Sequence, residues 1–508
     1  MSQAALIRRA GRLRLVLYPF LLGAVTVLGF APFYWWFLPF LTLAALFHAW
    51  AHAGSWRAAL LLGFCFGLGW FGVGVSWVYV SMHDFGMMPA PIAALATVLF
   101  CAFLALFPAL LAYLQARLHA PRALLWLLIL PAAWALMEWL RGWLFTGFPW
   151  LALGYSQAPS GPLAGFAPLL GVYGVTWLLA TGAGLMALAY DRWRSARRQA
   201  GLALMALLAL GSAGVGLNRH AWTQPLGAPL PVSLLQGNIA QDMKWRGERL
   251  MPTLNTYRDL VLASPGRLTV LPETAIPLFL DQTPSVYFEQ LAQHARQRGG
   301  DLIMGIPERD FDRRVYFNSA ISLGTAPPQR YRKQHLVPFG EFIPFKPLFG
   351  WFIELMQIPL GDFERGTADQ KPLAVAGQQV AVNICYEDVF GEEIIRQLPQ
   401  ATLLANISND AWFGDSIAPR QHLQISQMRA LETGRYLLRA TNTGMTAILD
   451  EKGRVTGAVA PFHVDALHGM AQGFGGATPF ARFGNRLALA LAGLALGAGL
   501  VVARVRHR

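Results

Sequence analysis

Apolar runs of membrane-crossing length recur along this 508-residue chain, and that feature restricts its possible folds more than any other. About 18 or more apolar residues are what a helix needs to cross a hydrocarbon core of about 30 Å. The runs fall near 13–31, 34–50, 58–80, 90–114, 123–140, 163–190, 200–217 and 486–503, the second short and broken by Pro39. Between 218 and 485 charged residues become frequent and apolar runs shrink to strand length. The expected architecture is a polytopic α-helical membrane domain of eight transmembrane helices joined to a soluble α/β domain. Its parts are seven helices over 1–217, the soluble domain over 218–485, and a closing helix with a short tail over 486–508. A composition of 55% hydrophobic and 14% charged residues excludes an ordinary soluble protein.

The formal charge of +13 invites a nucleic-acid partner, but its placement argues against one. Arg8, Arg9, Arg12 and Arg14 precede the first run, and Arg57 lies between the second and third. Arg117 and Arg122 flank one later loop, while Arg192, Arg194, Arg197 and Arg198 fill another. Arg504, Arg506 and Arg508 end the sequence, and the intervening loops hold only Arg141. Lysine and arginine excess marks cytoplasmic loops, so both termini are expected inside and the soluble domain outside, in a bacterium the periplasm. The first run, followed by Pro32, Phe33, Tyr34, Trp35 and Trp36, is expected to be a retained signal-anchor.

Within the soluble region the pattern alternates. Strands are expected at 231–239, 268–273, 302–306, 318–323, 379–385, 403–408, 437–441 and 446–449, and helices at 251–263, 284–298, 390–397 and 419–434. Strands interleaved with helices, with chemistry at strand ends, imply a layered α/β sandwich.

Cys385, in Val382-Asn-Ile-Cys-Tyr-Glu-Asp, is the one cysteine outside the apolar runs that hold Cys65 and Cys101. A lone thiol there is either a packing residue or a nucleophile. A free thiol is mostly protonated at neutral pH, with an ordinary pKa of about 8.5, so a nucleophile needs a base or a cation beside it. Glu273, in Leu271-Pro-Glu-Thr, is the candidate base, and Lys333, in Tyr331-Arg-Lys-Gln-His, the candidate cation and oxyanion partner. Lysine is scarce, at Lys244, Lys333, Lys346, Lys371 and Lys452, which gives Lys333 weight. The backbone N–H after Cys385 is a candidate for an oxyanion hole. No metal-ligand spacing appears among the histidines, and no cofactor is expected.

Three other features stand out. The segment 345–360 is too short to span a membrane and too apolar for an ordinary loop, and reads as a membrane-dipping lid or acyl-chain groove. Glu138 and Arg141, three apart on one helix face, are expected to pair or to lie at the interface, with headgroup positioning a second reading. Gly67, Gly69, Gly72 and Gly74 suggest close helix packing.

Four motifs in order carry a resemblance: Leu271-Pro-Glu-Thr, Tyr331-Arg-Lys-Gln-His-Leu-Val-Pro-Phe-Gly-Glu-Phe-Ile-Pro, Asn383-Ile-Cys-Tyr-Glu-Asp and Asn406-Ile-Ser-Asn-Asp-Ala-Trp-Phe-Gly. Together they resemble the nitrilase, or carbon–nitrogen hydrolase, superfamily. With the membrane helices around them, the chain resembles the bacterial apolipoprotein N-acyltransferases. The resemblance implies an αββα sandwich in which Glu273 is general base, Lys333 stabilises the oxyanion and Cys385 forms an acyl thioester. It further implies Glu341 as a carboxylate near the nucleophile, Tyr386 and Glu387 as residues shaping the pocket, and Trp245 as a tryptophan that handles the acceptor. The implied reaction moves the sn-1 acyl chain of phosphatidylethanolamine to Cys385, then to the α-amino group of an S-diacylglyceryl-cysteine at a lipoprotein N-terminus. The implied partners are that phospholipid and the diacylated apolipoprotein, with an integral membrane monomer acting on them. The competing readings are a membrane-anchored amidase that hydrolyses an amide or nitrile, and a transporter or receptor whose soluble domain only binds a ligand. The second leaves the ordered Glu, Lys and Cys unexplained.

Overall fold

A computed structural model describes residues 3–344, 347 and 362–505, so the apolar segment 345–360 lies, apart from 347, outside the described residues. The chain divides into two compact units, one of 1–79, 90–220 and 483–508, the other of 80–89 and 221–482. In the first, six helices among the described residues are long and apolar enough to cross a membrane. They are Trp56–Gly74, Ala90–Ala116, Arg122–Arg141, Ala164–Arg192, Arg197–Leu217 and Arg486–Val505. Two further apolar segments, Leu15–Gly29 and Leu38–Ala51, are shorter. At 1.5 Å per residue the second rises only about 21 Å.

Helix packing here depends on small residues. A Cβ on Gly67 would lie 2.6 Å from the Cα of Ala105, and one on Gly69 would meet the carbonyl of Phe20; Gly72 faces open space. Glu138 and Arg141, both buried, hold the loop that follows their helix. Glu138 accepts from Trp134 Nε1 at 2.9 Å, Thr176 Oγ1 at 2.7 Å and the Leu153 N–H at 3.1 Å. Arg141 Nη1 donates to the carbonyls of Phe148 and Trp150 at 2.5 and 2.7 Å. Polar groups at this depth are compensated by an irregular backbone that itself needs partners.

Among the described residues the second unit is a sandwich of two six-stranded sheets. One has the order β12-β1-β2-β3-β4-β5, built from Asp465–Gly475, Gln224–Gln236, Leu268–Val270, Asp301–Asp310, Val315–Gly324 and Arg330–Arg332. The other, β11-β10-β9-β8-β7-β6, is built from Val455–Ala458, Ala447–Leu449, Leu437–Thr441, Leu403–Ser408, Gln378–Ile384 and Leu373–Val375. Each sheet has a parallel centre, β1-β2-β3 in one and β7-β8-β9 in the other, with antiparallel flanks.

Strand periodicity sorts the core into layers. Val380, Val382 and Ile384 of β7 join Leu403, Ala405 and Ile407 of β8 and Val232 and Leu234 of β1 in one cluster between the sheets. On the outer face of the first sheet, Leu302, Met304 and Ile306 of β3 pack with Leu254, Tyr257 and Val261 of helix Gly247–Ala263 and Leu291 of helix Ser285–Gln297. On the outer face of the second, Ala381 and Leu404 pack with Leu423 and Ala430 of helix Ala418–Thr433. This is the expected αββα arrangement. The expected helix over 390–397 is only one α-turn, Gly391–Ile394, running into a 3-10 turn, Ile395–Gln397.

Candidate active site

Strand β7 ends at Ile384, and the next residue, Cys385, turns sharply with φ +52° into the 3-10 turn Cys385–Val389. A side chain with a Cβ pays strain there, which persists only where the surroundings enforce it. Glu387 enforces it. Its Oε2 accepts the Ile384 N–H at 2.7 Å, while its Oε1 accepts the N–H groups of Gln334 and His335 at 2.6 and 3.1 Å and the Tyr331 hydroxyl at 3.0 Å. One buried carboxylate thus staples the cysteine elbow to the lysine loop. Burial pushes Glu387 up to about 7, against the pull of those donors and of Lys333.

Glu273 follows β2 on a turn whose next residue, Thr274, is also left-handed, with φ +48°. The turn lies so close to β3 that a Cβ on Gly305 would sit 2.6 Å from the Cα of Glu273. Glu273 Oε1 accepts from Lys333 Nζ at 3.1 Å and Asn318 Nδ2 at 2.7 Å, and Oε2 accepts the Asn409 N–H at 2.9 Å. Lys333 Nζ also donates to Glu341 Oε1 at 2.9 Å, and Glu341 Oε2 accepts the Val337 N–H at 2.9 Å. The structure therefore brings buried Glu273 and Lys333 and part-buried Glu341 into one cluster.

Protonation follows from these contacts. Burial alone would lower Lys333, but the carboxylates of Glu273 and Glu341 outweigh it and raise the lysine above its ordinary value. Burial would raise Glu273, but Lys333, Asn318 and Lys244 hold it below the usual carboxylate range. Burial pushes the Cys385 thiol well up, Glu273 adds to this, and Lys333 only partly opposes it. Cys385 thus rests as a thiol beside an ionised glutamate, so its proton must leave before the sulfur can act as a nucleophile.

A second network, absent from the sequence-based list, lies behind the cysteine. Ser408 Oγ, in hydrogen-bond contact with the thiol, donates to Asp410 Oδ1 at 2.7 Å. Arg439 Nη2 donates to Asp410 Oδ2 at 2.8 Å and Arg439 Nη1 to Asn406 Oδ1 at 2.6 Å. Asn406 Nδ2 reaches the Cys385 carbonyl at 3.3 Å. Burial would raise Asp410, yet Arg439 and His422 hold it far below the usual range. Ser408, Asn409 and Asp410 stand in the fourth motif, which was the available signal. Asn318 had none beyond its place in a strand, and Lys244 only its rarity.

Tyr386 is buried against Phe390 and His335, with ring centroids 5.3 and 5.9 Å away, and so packs the elbow. Trp245 is half-buried on the turn 241–245, next to Lys244. Lys244 is buried, and its Nζ reaches the Glu273 carbonyl at 3.4 Å.

A thiol in a strained elbow, a carboxylate and a lysine stand together at the ends of a sandwich's strands, and the carbon–nitrogen hydrolase family matches residues 232–463. The apolipoprotein N-acyltransferase N-terminal domain matches residues 22–185. The apolipoprotein N-acyltransferase of Nitrosomonas europaea is 57% identical over 95% of this chain and 96% of its own. That of Chromobacterium violaceum is 48% identical over 93% and 90%. Among solved structures, a carbon–nitrogen hydrolase superfamily protein of Xanthomonas campestris covers 54% of this chain and 97% of its own at 17% identity, with a TM-score of 0.37. A carbon–nitrogen hydrolase of Helicobacter pylori covers 48% and 89% at 17% identity, with a TM-score of 0.35. The chain belongs to the apolipoprotein N-acyltransferase family. It is an acyltransferase that has both a multi-helix apolar unit and a carbon–nitrogen hydrolase unit.

Proposed function

We propose that Cys385 carries an acyl group as a thioester between two lipid substrates, in the N-acylation step of lipoprotein maturation at the bacterial inner membrane. In the first half-reaction Glu273 takes the thiol proton as sulfur attacks the sn-1 ester carbonyl of phosphatidylethanolamine. The C–O bond breaks, the proton passes to the departing alkoxide, and a lysophospholipid leaves. In the second, the α-amino group of an S-diacylglyceryl-cysteine attacks the thioester; its proton passes through Glu273 to the sulfur and the thiol returns. Lys333, fixed as an ammonium, faces the tetrahedral oxyanion in both. Glu341 holds Lys333, Glu387 holds the elbow, Tyr386 packs it, and Trp245 lies on the acceptor side. The catalytic unit faces the periplasm with both termini cytoplasmic, a reading supported by the arginine distribution. In this reading the enzyme acts as a monomer.

The observation that carries this reading is the Glu273–Lys333–Glu341 cluster, its lysine and Glu273 buried, beside a strained thiol. The test supplies phosphatidylethanolamine and a diacylated lipopeptide to the full chain and follows both products. N-acylated lipopeptide and lysophospholipid should form in equal amounts, and Cys385→Ala should form neither. Free fatty acid or ammonia without N-acylated peptide would favour the amidase instead.

A further inference from the structure

Lys244 is a buried cation that the Glu273–Lys333–Cys385 assignment does not use. It is 4% exposed, and its Nζ donates to the Glu273 main-chain carbonyl at 3.4 Å. An ammonium has three N–H donors, and one long bond to a carbonyl is thin compensation for burying its charge. The turn that carries it is anchored to the site a second time. Asn409 Nδ2 donates to Gln241 Oε1 at 2.7 Å, and the Asn409 N–H donates to Glu273 Oε2 at 2.9 Å. Lys244 is therefore held behind the base and does not reach for solvent.

Charge counting shows what it would do there. Lys333 lies within 3.1 Å of Glu273 and 2.9 Å of Glu341, one cation shared by two carboxylates. Proton transfer from Cys385 to Glu273, then attack, moves one negative charge from the carboxylate to sulfur and on to the carbonyl oxygen. The cluster stays net negative throughout, which opposes an oxyanion beside it. The other carboxylate facing the thiol, Asp410, is already matched by Arg439 at 2.8 Å. Lys244 interacts with both Glu273 and Cys385, and brings the site to balance.

We propose that Lys244 is a positioning residue of the catalytic centre, a second cation that balances the Glu273–Lys333–Glu341 cluster and fixes the backbone of Glu273. This rests on Cys385 being the nucleophile and Glu273 its base. Burial brings Lys244 down to about 8, with Glu273 and Cys385 pulling the other way. Among the other charged groups of the site, Lys333 is held protonated, Glu273 and Asp410 ionised, and the Cys385 thiol lies well up. Glu387, pushed up to about 7, has gained its charge before that range, so a fall in acylation as pH rises through about 8 is assigned to Lys244 losing its charge.

The experiment is single-turnover acylation of the full-length enzyme by phosphatidylethanolamine, read by intact mass from about pH 6 to about pH 10, for wild type, Lys244→Met and Lys244→Arg. Lys244→Met should slow adduct formation about 10- to 100-fold and lack the alkaline fall near pH 8. Lys244→Arg, whose guanidinium stays charged, should restore the rate and hold it past the pH at which wild type declines. A Lys244→Met rate and profile equal to wild type would overturn the proposal, as would a Lys244→Arg profile that falls with wild type. If Lys244→Met does not fold, the Lys244→Arg profile decides alone. Cys385→Ala and Glu273→Gln separate the two levels. An adduct surviving in either sinks the triad and Lys244 with it, whereas a silent Lys244→Met beside inactive controls sinks Lys244 only.

Discussion

The loop carrying Lys333 and the turn carrying Lys244 bring buried ammonium groups to the same glutamate, and they treat the charge differently. Lys333 follows β5, which pairs with β4 through Ser319 and Arg332, and its own N–H and C=O are taken by Asn318 and Gly366 at 2.8 Å each. Glu341 and Glu387 clamp the residues that follow. Two carboxylates then fix its proton. Lys244 sits on a turn held by short-range bonds, Met243 N–H to Ala240 at 3.1 Å and Lys244 N–H to Gln241 at 3.4 Å. It has a neutral carbonyl where Lys333 has carboxylates, so burial prevails and its proton is loose. Equal burial gives a permanent charge in one place and a titratable one in the other, and the partners decide which.

The sharpest way to break this contrast is to remove the permanent charge. Lys333→Met should cost about 10²–10³ in the rate of adduct formation, because it deletes the proposed oxyanion partner and leaves Glu273 and Glu341 with only the Asn318 amide between them and Lys244 as the remaining cation. A loss below tenfold in single-turnover assays would show that the charge is not required. Glu341→Gln should cost less, about 10- to 100-fold, since the lysine keeps Glu273 while losing one charge-assisted bond. If Lys333 then resembles Lys244, the variant should add a second alkaline fall to the one expected from Lys244 near pH 8. An unchanged profile would mean that Glu273 alone fixes the proton. Gly305→Ala, which pushes on the Glu273 turn, should lower stability by about 1–3 kcal/mol by thermal unfolding and slow acylation with it. Trp245→Ala should be mildest, raising KM for the lipopeptide about 3- to 10-fold with the first half-reaction intact. A first half-reaction slowed as much would remove Trp245 from the acceptor side.

The three groups of the proposed triad were legible in the sequence because each sits in a short motif at a strand end, where β-periodicity stops and a polar residue stands out. The sandwich was legible from the alternation in β7 and β8. Other parts were not, for physical reasons. Strand β12 is rich in glycine and half exposed, so it shows no alternation, and only its pairing with β1 defines it. Strands β5 and β6 have three residues each, too few to show a period. Asn318 and Arg439 look like ordinary strand residues until folding sets them against Glu273 and Asp410, 45 and 29 positions away. Glu138 and Arg141 stood out as charges in an apolar helix, but their partners lie in a loop whose path the sequence does not announce.

The central claim is that Cys385 holds the acyl group. Intact-mass analysis of the full chain with phosphatidylethanolamine and no lipoprotein tests it directly. One added acyl mass is expected, localised to the peptide containing Cys385, labile to hydroxylamine, absent in Cys385→Ala and discharged by a diacylated lipopeptide. Unmodified Cys385 while N-acylated lipopeptide accumulates would contradict it and point to direct transfer between the two lipids.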